Sequence, residues 1–188
     1  MKIGIQEIGT FTFRVYDADG NLKQEKITSN TLTSEGAARI LQLGFDAALS
    51  TPVRDTGYVG LIDNAGFASI DSSDQATDIR QTGVTLVNGW GEISDSGYNN
   101  PSTGLRKSGT WSQTDNGGTV TPSKVTWTDA TFTSFTGTQT IQGAFLANTS
   151  AVGQNTTGVL FAASSFAAGD VNVGTTDTLK VTFEMSLS

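Results

Sequence analysis

The chain contains no cysteine and no histidine. Without cysteine there is no disulfide framework and no thiolate nucleophile. Without histidine neither a Ser-His-Asp nor a Cys-His arrangement can be assembled, and the usual Cys/His zinc sites have no ligands. Acid–base work near neutral pH would fall to a carboxylate, a lysine or a tyrosine with a shifted pKa. Charge is also scarce: 15% of the residues are Asp, Glu, Lys or Arg, against about 25% in an average globular chain. No apolar run approaches the ~20 residues of a membrane-spanning helix. The opening Met1-Lys2-Ile3-Gly4-Ile5 lacks the basic-then-apolar pattern of a signal peptide. The expectation is a soluble protein made in the cytosol. GxGxxG, P-loop and HExxH motifs are missing as well, which leaves no phosphate cradle and no helical metal pair.

What is present points to strands. Glycine occurs 22 times in 188 residues and proline only 3 times, with serine, threonine and asparagine throughout. This composition suits many short strands joined by small polar turns. The length fits one domain, or one domain with a small appendage. The net charge of −7 repels nucleic acid and anionic membranes, so neither is expected as a partner.

Phe11, Phe13 and Val15 alternate with Thr10, Thr12 and Arg14, the period-2 pattern of a half-buried strand. Asp17-Ala18-Asp19-Gly20-Asn21 then turns the chain into a return strand over Leu22–Thr28, a hairpin. A helix follows, capped by Thr33 or Ser34, with Glu35 in its first turn and a buried stripe of Ala37, Ile40, Leu41 and Leu43 or Gly44. Tyr58–Ile62 reads as a strand buried on both faces, turned by Asp63-Asn64-Ala65-Gly66. A second, short helix is expected over Ser72–Gln81. Asn88–Gly118 reads as long loops with short pairings around Trp90, Tyr98 and Trp111, and loops of that length in a compact domain are usually functional. The last third is the clearest β region, with strands around Val125–Thr128, Thr131–Phe135, Thr138–Ala147, Val159–Phe166 and Thr178–Leu187. In the last of these Leu179, Val181, Phe183, Met185 and Leu187 share one face.

Several clusters admit a chemical reading beside a plain one. Asp17, Asp19 and Asn21 suggest a cation loop, but the spacing and flanking helices of an EF-hand are missing, and a hairpin turn explains them. Asp71, Asp74 and Asp78 would share a helical face and could gather around a cation; the plainer reading is a solvated, acidic helix start. Asp63, Glu92 and Asp95 supply carboxylates for a glycosidase pair only in the sense that any soluble protein does. Trp90 and Trp111 are equally core packing or subunit contact, with a sugar platform behind both, while Trp127 belongs to an alternating strand. Arg106-Lys107 is a solvated basic pair, or a salt-bridge partner for an acidic neighbouring subunit. Trp90, Tyr98, Arg106, Lys107 and Trp111 are therefore the candidate subunit-contact residues. No catalytic, cofactor-binding or metal-binding set emerges, so no enzyme activity and no cofactor are expected.

Six stretches carry a resemblance. Asn30-Thr31-Leu32-Thr33-Ser34-Glu35-Gly36 resembles the "N-x-(V/L)-T-x-x-G" entry common in phage structural proteins. Tyr58-Val59-Gly60-Leu61-Ile62-Asp63-Asn64 is similar to the "W-Y-(I/V)-G-L-I-D-N" stretch of a family of small tailed-phage virion proteins. Gly89-Trp90-Gly91-Glu92 with Tyr98 resembles its "G-W-x-E…Y". Ile141-Gln142-Gly143-Ala144-Phe145-Leu146 resembles its "I-K-G-A-F-L". Thr157-Gly158-Val159-Leu160-Phe161 and Asp177-Thr178-Leu179-Lys180-Val181-Thr182 resemble its endings. The likeness runs in order from about Gly9 to Leu187, and departs at Asp74–Val87, where the usual histidine is missing.

Together these readings predict a mainly β chain: an antiparallel, jelly-roll-like β-sandwich with an N-terminal β-hairpin and one short α-helix. Residues 1–50 are expected to form the hairpin and helix, packed on or beside a sandwich domain over 51–188. The resemblance implies a non-enzymatic virion protein on the capsid surface, of the decoration (cement) type. Its partners would be the major capsid protein and copies of itself in a cyclic oligomer such as a trimer. A tail, neck or head-fibre component that binds a host surface, or a carbohydrate-binding module, is the alternative.

Overall fold

The computed structural model describes residues 9–45, 56–79, 89–93, 106–114, 123–150, 158–166 and 169–187. Tyr98, Asp95 and residues 80–88 lie outside them.

The hairpin forms as the alternation predicts. Strand β1 (Gly9–Tyr16) and strand β2 (Leu22–Ser29) are antiparallel, and Phe11, Phe13 and Val15 are buried. The turn is built by Asp17, whose carboxylate accepts the amides of Asp19 and Asn21 at 3.0 and 2.8 Å, while Gly20 takes φ 84°. That φ is open to glycine at little cost. β1 pairs along its whole length with the C-terminal strand β11 (Thr178–Leu187). The hairpin therefore supplies two of the five strands of one sheet, in the order β2-β1-β11-β7-β6, where β6 is Thr110–Thr114 and β7 is Ser123–Phe132.

The second sheet runs β3-β9-β8-β4-β5: Thr31–Leu32, Leu160–Ser165, Gln139–Ala147, Tyr58–Asp63 and Lys107–Ser108. A short strand that the sequence pattern does not announce, β10 (Val171–Val173), pairs with Gln139–Ile141 of β8. It continues along the side of β8 that β9 leaves after Ser165. All pairings are antiparallel, so the molecule is an antiparallel β-sandwich.

The two sheets share their margins. β2 of the first sheet runs through Asn30 directly into β3 of the second, and β5 of the second runs through Gly109 directly into β6 of the first. At the second corner only glycine fits, because a Cβ on Gly109 would stand 2.6 Å from the Thr128 carbonyl. Side chains add to the first corner: the Thr28 hydroxyl meets Ser164 Oγ at 2.8 Å and donates to the Ser165 carbonyl at 2.9 Å.

Between the sheets lies the main core, built around Phe11, Phe13, Phe132, Phe183, Leu61, Leu146 and Val181. A second core covers the outer face of the second sheet, where Ile62, Phe145, Ala147, Leu160 and Ala163 meet Ala76, Ile79 and Trp90. Coverage on both faces explains why β4 and β8 read as continuous apolar runs rather than alternating ones. At about 25 cal/mol per Å², both layers contribute to the burial that opposes chain entropy.

The single helix among the described residues, α1 (Ser34–Phe45), packs on β9 over that outer face. Thr33 is its N-cap: its hydroxyl accepts the Gly36 amide at 3.0 Å and its carbonyl accepts the Ala37 amide. Gly36 sits against the Phe161 backbone. Leu41, expected in the buried stripe, is 59% exposed, because the helix rests on Gly36 and its first turn rather than on a broad apolar face.

The short helix expected over Ser72–Gln81 does not form in its described part. Turns occupy 72–73 and 76–78 instead. The cause is side-chain competition for backbone amides. Asp71 Oδ1 accepts the Ser73 amide at 2.8 Å, Asp74 Oδ2 the Asp71 amide at 2.9 Å, and Asp78 Oδ2 the Gln75 amide at 3.0 Å.

Candidate functional site

The densest set of polar groups lies in the second core, on the outer side of β4 and β8. Two short pieces of chain line the free side of β4. Residue Glu92 bridges Ile62, flanked by bonds from the Asp63 amide to the Gly91 carbonyl and from the Ile93 amide to the Leu61 carbonyl. A little further along, Lys107 and Ser108 pair with Val59 and Tyr58. Glu92 and Arg106 thus arrive side by side although 14 positions separate them in sequence.

They form a two-pronged ion pair. Arg106 Nε donates to Glu92 Oε1 at 3.0 Å and Nη2 donates to Oε2 at 2.9 Å. Both side chains are 0% exposed. Arg106 Nη1 also donates to the Thr149 carbonyl at 3.3 Å, and the guanidinium lies 4.9 Å from the Phe145 ring centre. Trp90 lies 5.5 Å from the same ring, so Phe145 packs near both indole and guanidinium. Gly60 makes room for it: a Cβ there would run into the ring.

Trp90 Nε1 donates to Asp74 Oδ2 at 2.7 Å. Asp74 is buried, and its other oxygen, Oδ1, has no hydrogen-bond partner among the described residues. Glu35 reaches over from α1, and its Oε2 accepts the amides of Ala76 at 2.9 Å and Leu160 at 2.8 Å. One carboxylate therefore ties helix, loop and strand β9 together. Its position in the first helical turn suits the helix dipole, but nothing in the sequence pattern indicated those two amides.

The candidate contact residues divide accordingly. Trp90 is core, 2% exposed. Arg106, expected in a solvated loop or against a neighbouring subunit, is instead satisfied internally by Glu92, which removes its charge from any contact surface. Lys107 is half-buried in β5, and Trp111 pairs with Trp127 in the middle of β6. Tyr98 lies outside the described residues. Of the carboxylates weighed for glycosidase chemistry, Glu92 is occupied by Arg106, and Asp63 caps its turn by accepting the Ala65 amide at 2.9 Å. Among the described residues no three Asp or Glu side chains gather as metal ligands.

Among the described residues three carboxyls are held below their ordinary range. Asp177 is held down chiefly by hydrogen bonds from Lys23 Nζ, at 2.9 and 2.8 Å, and also by the Gly174 amide. Asp17 is lowered by the Asn21 amide and side chain, and Asp71 by the Ser73 amide. All three serve turns. No protein-family model, curated protein or solved structure matches the chain.

Proposed function

We propose that this chain is a non-enzymatic structural protein of a tailed-phage virion, a capsid decoration (cement) subunit that binds the major capsid protein lattice and copies of itself. The observation that carries the proposal is the fate of the polar groups in the second core. Glu92, Arg106, Asp74 and Glu35 hold strands, loop and helix to one another. Buried networks of this kind rigidify a fold, and rigidity is what a lattice clamp requires. The ordered motifs from Asn30 to Thr182 direct the proposal to the phage virion. Weak contacts suffice for such a subunit, because many copies on one shell act together.

The test is to mix the purified chain with capsids stripped of accessory proteins, re-isolate them and image them. Regular density across the shell is expected, with a rise in the temperature at which shells disrupt. Density confined to the portal vertex, or none, refutes decoration. Binding to host cells would then identify a tail, neck or fibre component, and glycan-dependent tryptophan fluorescence a carbohydrate-binding module.

A further inference from the structure

The strands at the sheet margins are not alike. β3 and β5 are two residues long, and β10, which among the described residues pairs with β8 alone, is three, too short to template another strand. β2 is eight residues long but carries the devices that discourage strand addition. Lys26 points inward, 4.7 Å from the Phe166 ring centre, and donates to the Gly169 carbonyl. Lys23 and Glu25 are each engaged in an ion pair. β6 has none of this. Its five residues, Thr110-Trp111-Ser112-Gln113-Thr114, include no charge and no proline. Among the described residues it pairs with β7 on one side only, and none hydrogen-bonds to its other side.

We propose that the free edge of β6 is a self-association site, where β6 of a second copy pairs antiparallel and extends the sheet across a two-fold axis. The inference takes up the self-association within the decoration reading and rests on it. The occupant follows from charge and symmetry. Two chains of net charge −7 repel, and an uncharged margin is where they can approach. Centred on Ser112, the antiparallel register sets Thr110 against Thr114, Trp111 against Gln113 and Ser112 against its own copy, with no like charges opposed. The pairing is isologous and closes at two copies. A five-residue ladder makes only a few hydrogen bonds, so the pair is weak in solution and gains from the crowding of copies on a shell.

Sedimentation equilibrium of the full chain from about 10 µM to about 1 mM is expected to show a monomer–dimer equilibrium. Ser112→Lys sets two ammonium groups opposite each other at the axis and should weaken the dimer by about tenfold or more. Because Ser112 is exposed, the melting temperature should not change. Ile27→Lys, on the margin strand β2, should leave the dimer as it is. A wild-type chain that stays monomeric throughout overturns the proposal. So does a Ser112→Lys dimer of undiminished strength, or loss of the dimer in Ile27→Lys alone. Should Ser112→Lys not fold, amide exchange of the wild type decides: protection over 110–114 must rise with concentration, and constant protection overturns the pairing. Shell binding is read separately. A monomer that coats stripped shells refutes β6 pairing and leaves decoration standing; a β6 dimer that binds no shell does the reverse.

Discussion

Replacing Arg106 with methionine removes more than one bond. It deletes both prongs to Glu92, the bond to the Thr149 carbonyl and the cation above Phe145. It also leaves the fully enclosed Glu92 carboxylate without the guanidinium that faces it. Removing one partner of a buried pair costs about 3–5 kcal/mol. In a chain of this length each kcal/mol moves the melting temperature by about 2–4 °C, so Arg106→Met should melt about 6–20 °C lower. Chemical denaturation of wild type, Arg106→Met, Glu92→Leu and the double variant completes the cycle. The double variant should recover most of the loss, because an apolar pair of similar volume carries no desolvation cost. A loss below about 1 kcal/mol in Arg106→Met, the size typical of exposed pairs, would refute the enclosure of the pair. A double variant no more stable than the worse single one would refute the claim that the Glu92 charge, left without Arg106, causes the damage.

Three further outcomes follow from the geometry. Asp177 titrates below the ordinary 3.8 because Lys23 binds its charged form. A depressed folded pKa stabilises above the unfolded value and is lost as pH falls through the folded one. Asp177→Asn should therefore flatten the fall in melting temperature below about pH 4, and an unchanged pH profile would exclude the pair as its source. Gly143→Ala should prevent folding or reduce stability severely, since its Cβ would collide with the Ser164 carbonyl, a backbone atom in the paired strand; circular dichroism reads this directly, and a native-like spectrum and melt would contradict the β8–β9 register. Trp90→Phe keeps a ring against Phe145 but removes one of the two donors to Asp74 Oδ2. It should cost about 1–3 kcal/mol, measured by urea unfolding, and a cost near zero would place the indole nitrogen elsewhere.

The sequence made β1, β2, β4 and β11 legible because one or both of their faces are covered by a layer that repeats along the strand. Phe11-Phe13-Val15 and Leu179-Val181-Phe183 show that regularity. Three-residue β10 has too few positions for any period. Over 72–79 helical spacing was present in Ala76 and Ile79, but Asp71, Asp74 and Asp78 draw the backbone amides into turns, and local hydrogen bonding overrode periodicity. The Glu92–Arg106 pair was illegible for a different reason. Its partners meet only because each lies beside β4, so no spacing rule connects them. What the sequence did hold was a carboxylate beside Trp90 and an arginine just ahead of a strand, in a chain where charge is rare. In such a chain each charged residue far from a turn is a candidate for burial.

The two margin crossings, at Asn30 and Gly109, have a mechanical consequence. In an ordinary sandwich the sheets are held together by side-chain packing, and a shearing load can slide one over the other. Here each margin is a continuous main chain that leaves one sheet and enters the other. A tangential pull on the first sheet is passed to the second through peptide bonds on both flanks, as tension passes around a hoop. The layers must then yield together, and a fold built this way resists a tangential load without coming apart at its seam.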